Sequence, residues 1–177
     1  MDLGRVDNMK TVAKIAIAAG LFGVGAYVYD VLILPARKAK KAREEADDTD
    51  KPMLNVGAGT PGSSLRAALF GNTTWGDVNM DIAADRGVRC GPNSVCYGDV
   101  HKIPYPDKHF GTAIASHVIE HVENPIGAIR ELHRVADKVH VVVPKLWAPH
   151  TYLHPGHRWI VTRDGRAMKL WILGSQY

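Results

Sequence analysis

Residues 15–34 of this 177-residue chain contain one charged side chain, Asp30, in an otherwise apolar stretch rich in alanine, glycine and branched residues. As a helix these residues span about 30 Å, the thickness of a bilayer core. The segment therefore reads as a transmembrane helix over residues 11–34, after a short tail at residues 1–10. A signal-peptide core is usually only about 7–15 residues long, and no clean A-x-A cleavage site stands just before Pro35. Retention of the segment is therefore expected. Asp30 is the weak point, because a carboxylate at mid-bilayer costs about 2.5–3.5 kcal/mol, but it lies near the end of the run, beside Tyr27 and Tyr29. Ala16 with Gly20 and Ala19 with Gly23 place small residues at four-residue spacing, which suits helix pairing and self-association but is also ordinary composition for a membrane helix.

Five cations follow, Arg37, Lys38, Lys40, Lys41 and Arg43, then the acids Glu44, Glu45, Asp47, Asp48 and Asp50. The cations predict a single-pass protein with its C-terminal side in the cytoplasm. They also account for much of the net charge of +4, and the remainder is near neutral, so no nucleic-acid partner is expected. Residues 35–52 read as a charged stalk or linker, helical at first and ended by Asp47 to Pro52. What remains, residues 53–177, is enough for one compact domain. Cys90 and Cys96 match neither a C-x-x-C pair nor a paired zinc motif, and read as two free thiols.

Beyond Pro52, apolar runs alternate with turn signals, the rhythm of a parallel α/β sheet. A strand over residues 53–56 enters Gly57-Ala58-Gly59-Thr60-Pro61-Gly62 and then a short helical pattern at residues 63–70. A strand, a glycine turn and a helix start let backbone approach a nucleotide closely. Asp81 ends a second apolar stretch about 25 residues later, where an acid can reach ribose hydroxyls. Asp77, before that strand, suits a turn. A strand over residues 94–97 presents Asp99 at its carboxyl end, the edge at which such sheets bind ligands. A fourth strand over residues 112–116 runs into His117-Val118-Ile119-Glu120-His121. Pro125 opens a helix with Ile126, Ile129 and Leu132 at three-residue steps, and residues 139–143 read as a central parallel strand. Residues 158–162 and 169–173 pair as a hairpin turned at Asp164-Gly165.

The ordered set LNVGAGT, VNMDI, GDVHKIPYPDKHF, AIASHVIEHVENP and VHVVVP, over residues 53–144, resembles the class I S-adenosylmethionine-dependent methyltransferases that modify small molecules and lipids. The resemblance implies a Rossmann-like parallel sheet in reduced form and S-adenosylmethionine as cofactor. It implies that Gly57, Ala58 and Gly59 hold the methionine part, that Asp81 with Ile82 binds ribose, and that Asp99 and Val100 meet the adenine. Asn55 stands where the family has an acid, and its amide is expected to accept a cofactor hydrogen bond without supplying charge. The resemblance also implies that His117 faces cofactor and acceptor. Gly111 replaces an Asp common after the phenylalanine of the fourth strand, the intervening helices are short, and few residues follow Pro144.

His117 and His121 are the candidate bases, since imidazole titrates near neutrality. His117, Glu120 and His121 also spell a zinc-protease pattern, but Asn124-Pro125 leaves little room for the helix that pattern needs, and no metal is expected. His150, His154 and His157 form a second concentration, suited to an acceptor pocket, to a metal or to loop capping. The expected reaction is methyl transfer to a membrane-associated small molecule or lipid. The alternative is a noncatalytic methyltransferase-like module serving as an anchored structural or regulatory subunit.

Overall fold

The computed structural model describes residues 3–60, 74–162 and 167–169. A continuous helical segment opens the chain: α1 over Leu3–Val28, a π-helical turn over Tyr29–Ile33 and α2 over Leu34–Asp47. Strands β1 (Met53–Val56), β2 (Val78–Asp81), β3 (Val95–Tyr97), β4 (Phe110–Ser116) and β5 (Ala136–Val142) form one sheet in the order β3-β2-β1-β4-β5. Every pairing in it is parallel. Helix α3 (Pro125–Val135) joins β4 to β5, α4 is a single turn at His150–Leu153, and β6 (Trp159–Val161) pairs antiparallel with β7 (Ala167–Lys169).

Alternation along the strands decides what covers each face, because successive side chains point to opposite sides. Leu54, Val56, Ala113 and Ala115 pack with Ala128, Leu132 and Val135 of α3. Met53 and Ile114 pack instead against Ala39, Ala42 and Ala46 of α2. The expected stalk is thus also a layer of the fold. Alanines at three- and four-residue steps give α2 a flat stripe that lies close to the sheet, and Thr112 donates its hydroxyl to Ala42 O at 2.8 Å. Arg43 reaches Asp77 at 2.7 Å, and the same carboxylate oxygen accepts Met53 N at 2.8 Å. Asp77 therefore fastens α2 to the amino end of the sheet. Gly111 has its reason here too, since a Cβ would run into Thr49 Oγ1 and Ala46 of the α2 terminus.

Several expectations need correction. The run at residues 139–143 lies, up to Val142, in β5, which is an edge strand among the described residues and not a central one, and His140 interrupts it to bond Glu45 of α2 at 2.8 Å. The buried face of α3 is Pro125, Ala128, Leu132 and Val135, while Ile126 is exposed. Of the expected residues, Leu132 is buried and Ile129 packs half-buried on the core, and Ile126 falls outside because three-residue steps drift off one helical face of 3.6-residue period. The second hairpin strand begins at Ala167, earlier than residue 169, and the turn at Asp164-Gly165 lies outside the described residues. The helical pattern at residues 63–70 does as well. Cys90 and Cys96 are not free thiols: their Cα atoms stand 4.7 Å apart and a disulfide joins them.

Candidate active site

The sheet order reverses at β1, whose neighbours β2 and β4 lead away in opposite directions, and a crevice opens there beyond the carboxyl ends of the strands. It forms a cavity of about 900 Å³, within the range of small-molecule sites. Gly57, Ala58, Gly59, Asp81, Ile82, Asp99, Val100, His117 and His121 all line it. Residues spread over more than sixty positions of sequence are thus brought to one wall system by the four strand ends.

The glycine loop requires its glycines. Gly57 and Gly59 have φ of 72° and 74°, and a Cβ on Gly57 would collide with Val118. Asp81 fixes the loop, accepting Gly59 N on one carboxylate oxygen and Ala83 N on the other, both at 2.8 Å. A carboxylate has about four lone-pair positions, so each oxygen retains capacity for a hydroxyl. Asp99 accepts the His101 backbone N–H and its Nδ1, each at 2.9 Å. That backbone bond, reinforced by the imidazole, holds the Asp99 carboxyl below the usual range. Arg134 pins the loop that follows, donating to Ile103 O and Tyr105 O at 3.0 Å and to Asp107 at 2.7 Å.

Asn55 is placed elsewhere. It is 1% exposed on the α2 face of β1, and its Nδ2 donates to Asn79 Oδ1 at 3.0 Å, so it is absent from the cavity wall. Two amides replace an acid and its partners by bonding across adjacent strands.

The π-helical turn between α1 and α2 is what the sequence reading missed. Tyr27 and Val31 line the cavity, and Asp30, buried completely, accepts Lys145 N at 2.9 Å. The widened turn leaves Asp30 O to accept His117 Nε2 at 3.0 Å. His117 Nδ1 faces Glu120 Oε1 at 3.1 Å. Burial disfavours an imidazolium at His117, but the Glu120 bond and charge, helped by Asp30, outweigh it and raise its pKa. With both nitrogens directed at acceptors, His117 has no lone pair to offer as a base. This speaks against the role expected of it. His121 differs: its Nδ1 bonds Gly156 O at 2.7 Å, and its ring lines the cavity. The HxxEH segment forms turns, not the helix of a zinc protease.

His150, His154 and His157 also line the cavity. Burial pushes all three below the usual imidazole range, against the attraction of Asp30 in the case of His150. The unexplained charge of Asp30 within an apolar run was the available signal for this side of the site.

The methyltransferase domain family matches residues 54–139, from β1 into β5. Residues 54–139 are thus similar to the class I S-adenosylmethionine-dependent methyltransferase domain. Similarity extends to the ajmaline N-methyltransferase of Rauvolfia serpentina, 28% identical over a match covering 71% of this chain and 47% of that one. Among solved structures, the [4+2]-cyclase SpnF is 28% identical, with a TM-score of 0.32 over 56% of this chain and 40% of that chain. An S-adenosylmethionine-dependent methyltransferase of Thermotoga maritima, described as a possible histamine N-methyltransferase, is 22% identical, with a TM-score of 0.29 over 66% of this chain and 56% of that chain. Scores this low do not bear on the architecture, which rests on the strand order. The chain spans about half the length of the relatives it matches. S-adenosylmethionine is the cofactor of the family, and the cavity fits it: its wall includes the positive-φ glycine loop, whose backbone carries no side chain at Gly57 or Gly59, and an acid at each of the next two strand ends.

Proposed function

We propose that this protein transfers the methyl group of S-adenosylmethionine to a lipid-soluble acceptor that reaches the cavity from a membrane. The observation that carries the proposal is that one cavity is lined both by the cofactor-type residues Gly57, Gly59, Asp81 and Asp99 and by Tyr27 and Val31 of the N-terminal helical segment. Gly57 to Gly59 give the methionine part of the cofactor room against the backbone, Asp81 binds the ribose hydroxyls, Asp99 meets the adenine amino group, and Val100 and Ile82 offer it apolar contact. Bound there, the cofactor supplies a methyl group on a sulfonium, already electrophilic toward an oxygen, nitrogen or carbon. Alignment then carries most of the acceleration, for which intramolecular reactions allow about 7–11 kcal/mol. Of the two imidazoles expected to act on the acceptor, we assign His121 alone to that side. His117 positions the π-helical turn through Asp30.

The membrane reading rests on α1. Residues 15–29 carry no charge, and Ile15, Ile17, Leu21, Phe22 and Val24 are each about 60–70% exposed, with apolar residues on all sides of the helix. The helix is long and apolar enough to cross a bilayer. Asp30 belongs to the folded domain, which removes the cost it would carry in hydrocarbon and ends the apolar span near Tyr27. Trp147, packed on Phe22 with ring centroids 5.7 Å apart, and the exposed Leu146, Tyr152 and Leu153 continue the apolar surface beside α1. Ala16, Ala19 and Gly20 stand open for pairing with a second copy. The basic run over residues 37–43 favours a cytoplasmic domain. Cytoplasmic thiols are kept reduced. The state of Cys90 and Cys96 in cells therefore reports the orientation: reduced in the cytoplasm, joined outside it.

The test is transfer of a labelled methyl group from S-adenosylmethionine into vesicles of a total lipid extract by the full-length protein. Label should enter the lipid-soluble fraction and be lost with Asp81→Ala. Cofactor binding without transfer to any membrane component would replace the enzyme by the noncatalytic module.

A further inference from the structure

His121 lies in the turn after β4, and His154 and His157 lie in the loop after α4, yet one ligand-capable nitrogen from each comes within 4.8 Å of the other two. The rings stand 4.6–5.4 Å apart by centroid. Backbone presets two of the tautomers for ligation, while His154 Nδ1 accepts Gly156 N at 3.1 Å, a bond it gives up on taking an ion. A carbonyl only accepts, so His121 Nδ1, bonded to Gly156 O at 2.7 Å, and His157 Nδ1, bonded to Thr151 O at 2.9 Å, both carry hydrogen. Each Nε2 is then a lone pair. This is the arrangement by which backbone orients metal-ligating histidines. Three closely packed imidazoles without a cation between them gain little, whereas a dication binds all three at once.

Glu120 supplies compensating charge. It is 1% exposed, its Oε1 is 4.0 Å from His121 Nε2, and its Oε2 is buried without a hydrogen-bond partner among the described residues. Nitrogens on a tetrahedral zinc at about 2.0–2.1 Å lie roughly 3.3 Å apart, a contraction within the reach of ring rotations on a loop.

We propose that His121, His154 and His157 form a three-histidine site for a divalent zinc-class ion in the cavity wall, with a fourth coordination position open to the cavity. Three imidazoles select zinc over magnesium or calcium, which take oxygen ligands. Three protein ligands with one open position is the pattern of zinc sites that act on a bound molecule. The acceptor-side role of His121 is then that of a ligand, and an acceptor heteroatom occupies the open position. The ion site itself stands apart from the methyl-transfer reading; only the use of the open position rests on it.

The experiment titrates zinc, and separately cobalt, into untagged full-length protein in detergent after chelator treatment, with metal content and the visible cobalt spectrum as readouts. One equivalent should bind, with the absorption of four-coordinate cobalt. His154→Ala should weaken binding at least tenfold, and His154→Ala with His157→Ala should abolish the stoichiometric site. His154 is exposed, so its replacement tests the site even if the double variant does not fold. No zinc bound by the wild-type protein, or zinc bound equally well by His154→Ala, would overturn the proposal. Titration of S-adenosylmethionine into the same proteins separates the two readings. Cofactor binding without a zinc site removes only the metal, and a zinc site without cofactor binding removes only the methyl-transfer reading.

Discussion

Gly57 is held at a φ of 72° with Val118 where its Cβ would be. Gly57→Ala should therefore lose at least about 1–3 kcal/mol of stability and weaken cofactor binding, as measured by urea unfolding and calorimetry. Unchanged values for both would refute the close approach. His117 makes a pH-dependent contribution. Because its folded pKa is raised, its stabilisation is complete below the ordinary imidazole value near 6.5 and is lost as pH rises through the folded value. The difference in melting temperature between wild-type and His117→Asn protein should be largest at about pH 6 and shrink toward about pH 9. A difference that grows with pH would contradict the ion pair with Glu120. At this scale, Gly57, Gly59, Asp81 and Asp99 were legible in the sequence because strand-end positions follow from apolar runs. The displacement of Asn55 was not, since alternation puts it on the face of Met53 but its partner there is Asn79, a residue 24 positions away.

The strands were legible as elements because burial on both faces leaves near-continuous apolar runs. The double role of α2 was not. Its charges suggested a solvated stalk, and only three alanines, Ala39, Ala42 and Ala46, carry the contact with β1 and β4. Small residues give weak hydrophobic signals but allow close packing. Gly111→Asp, which would restore the residue common to the family, should force α2 away from β4 and lower stability by about 1–3 kcal/mol or more in thermal or urea unfolding. No loss would mean that α2 does not rest on the sheet in solution. The π-helical turn was equally hidden, because a single extra residue in a helical turn leaves no trace in an apolar pattern. Asp30 alone marked it.

Taken as one molecule, the chain couples an exposed apolar helix to the cavity proposed to hold S-adenosylmethionine through Tyr27, Asp30 and Val31. An aspartate at mid-bilayer costs about 2.5–3.5 kcal/mol, so Leu21→Asp should reduce partition into vesicles on the order of a hundredfold, seen as loss of co-flotation. Co-flotation equal to wild type would show that α1 is not in the lipid. The most direct test of the central claim is calorimetric titration of S-adenosylmethionine and its demethylated product into full-length protein, alongside Asp81→Ala. Losing hydrogen bonds to a charged group costs about 1.5–3 kcal/mol, which corresponds to about ten- to a hundredfold weaker binding by the variant. Binding that depends on Asp81 in this way is the predicted result. A folded protein that binds neither compound, or binds both equally well without Asp81, would contradict the assignment of the cavity.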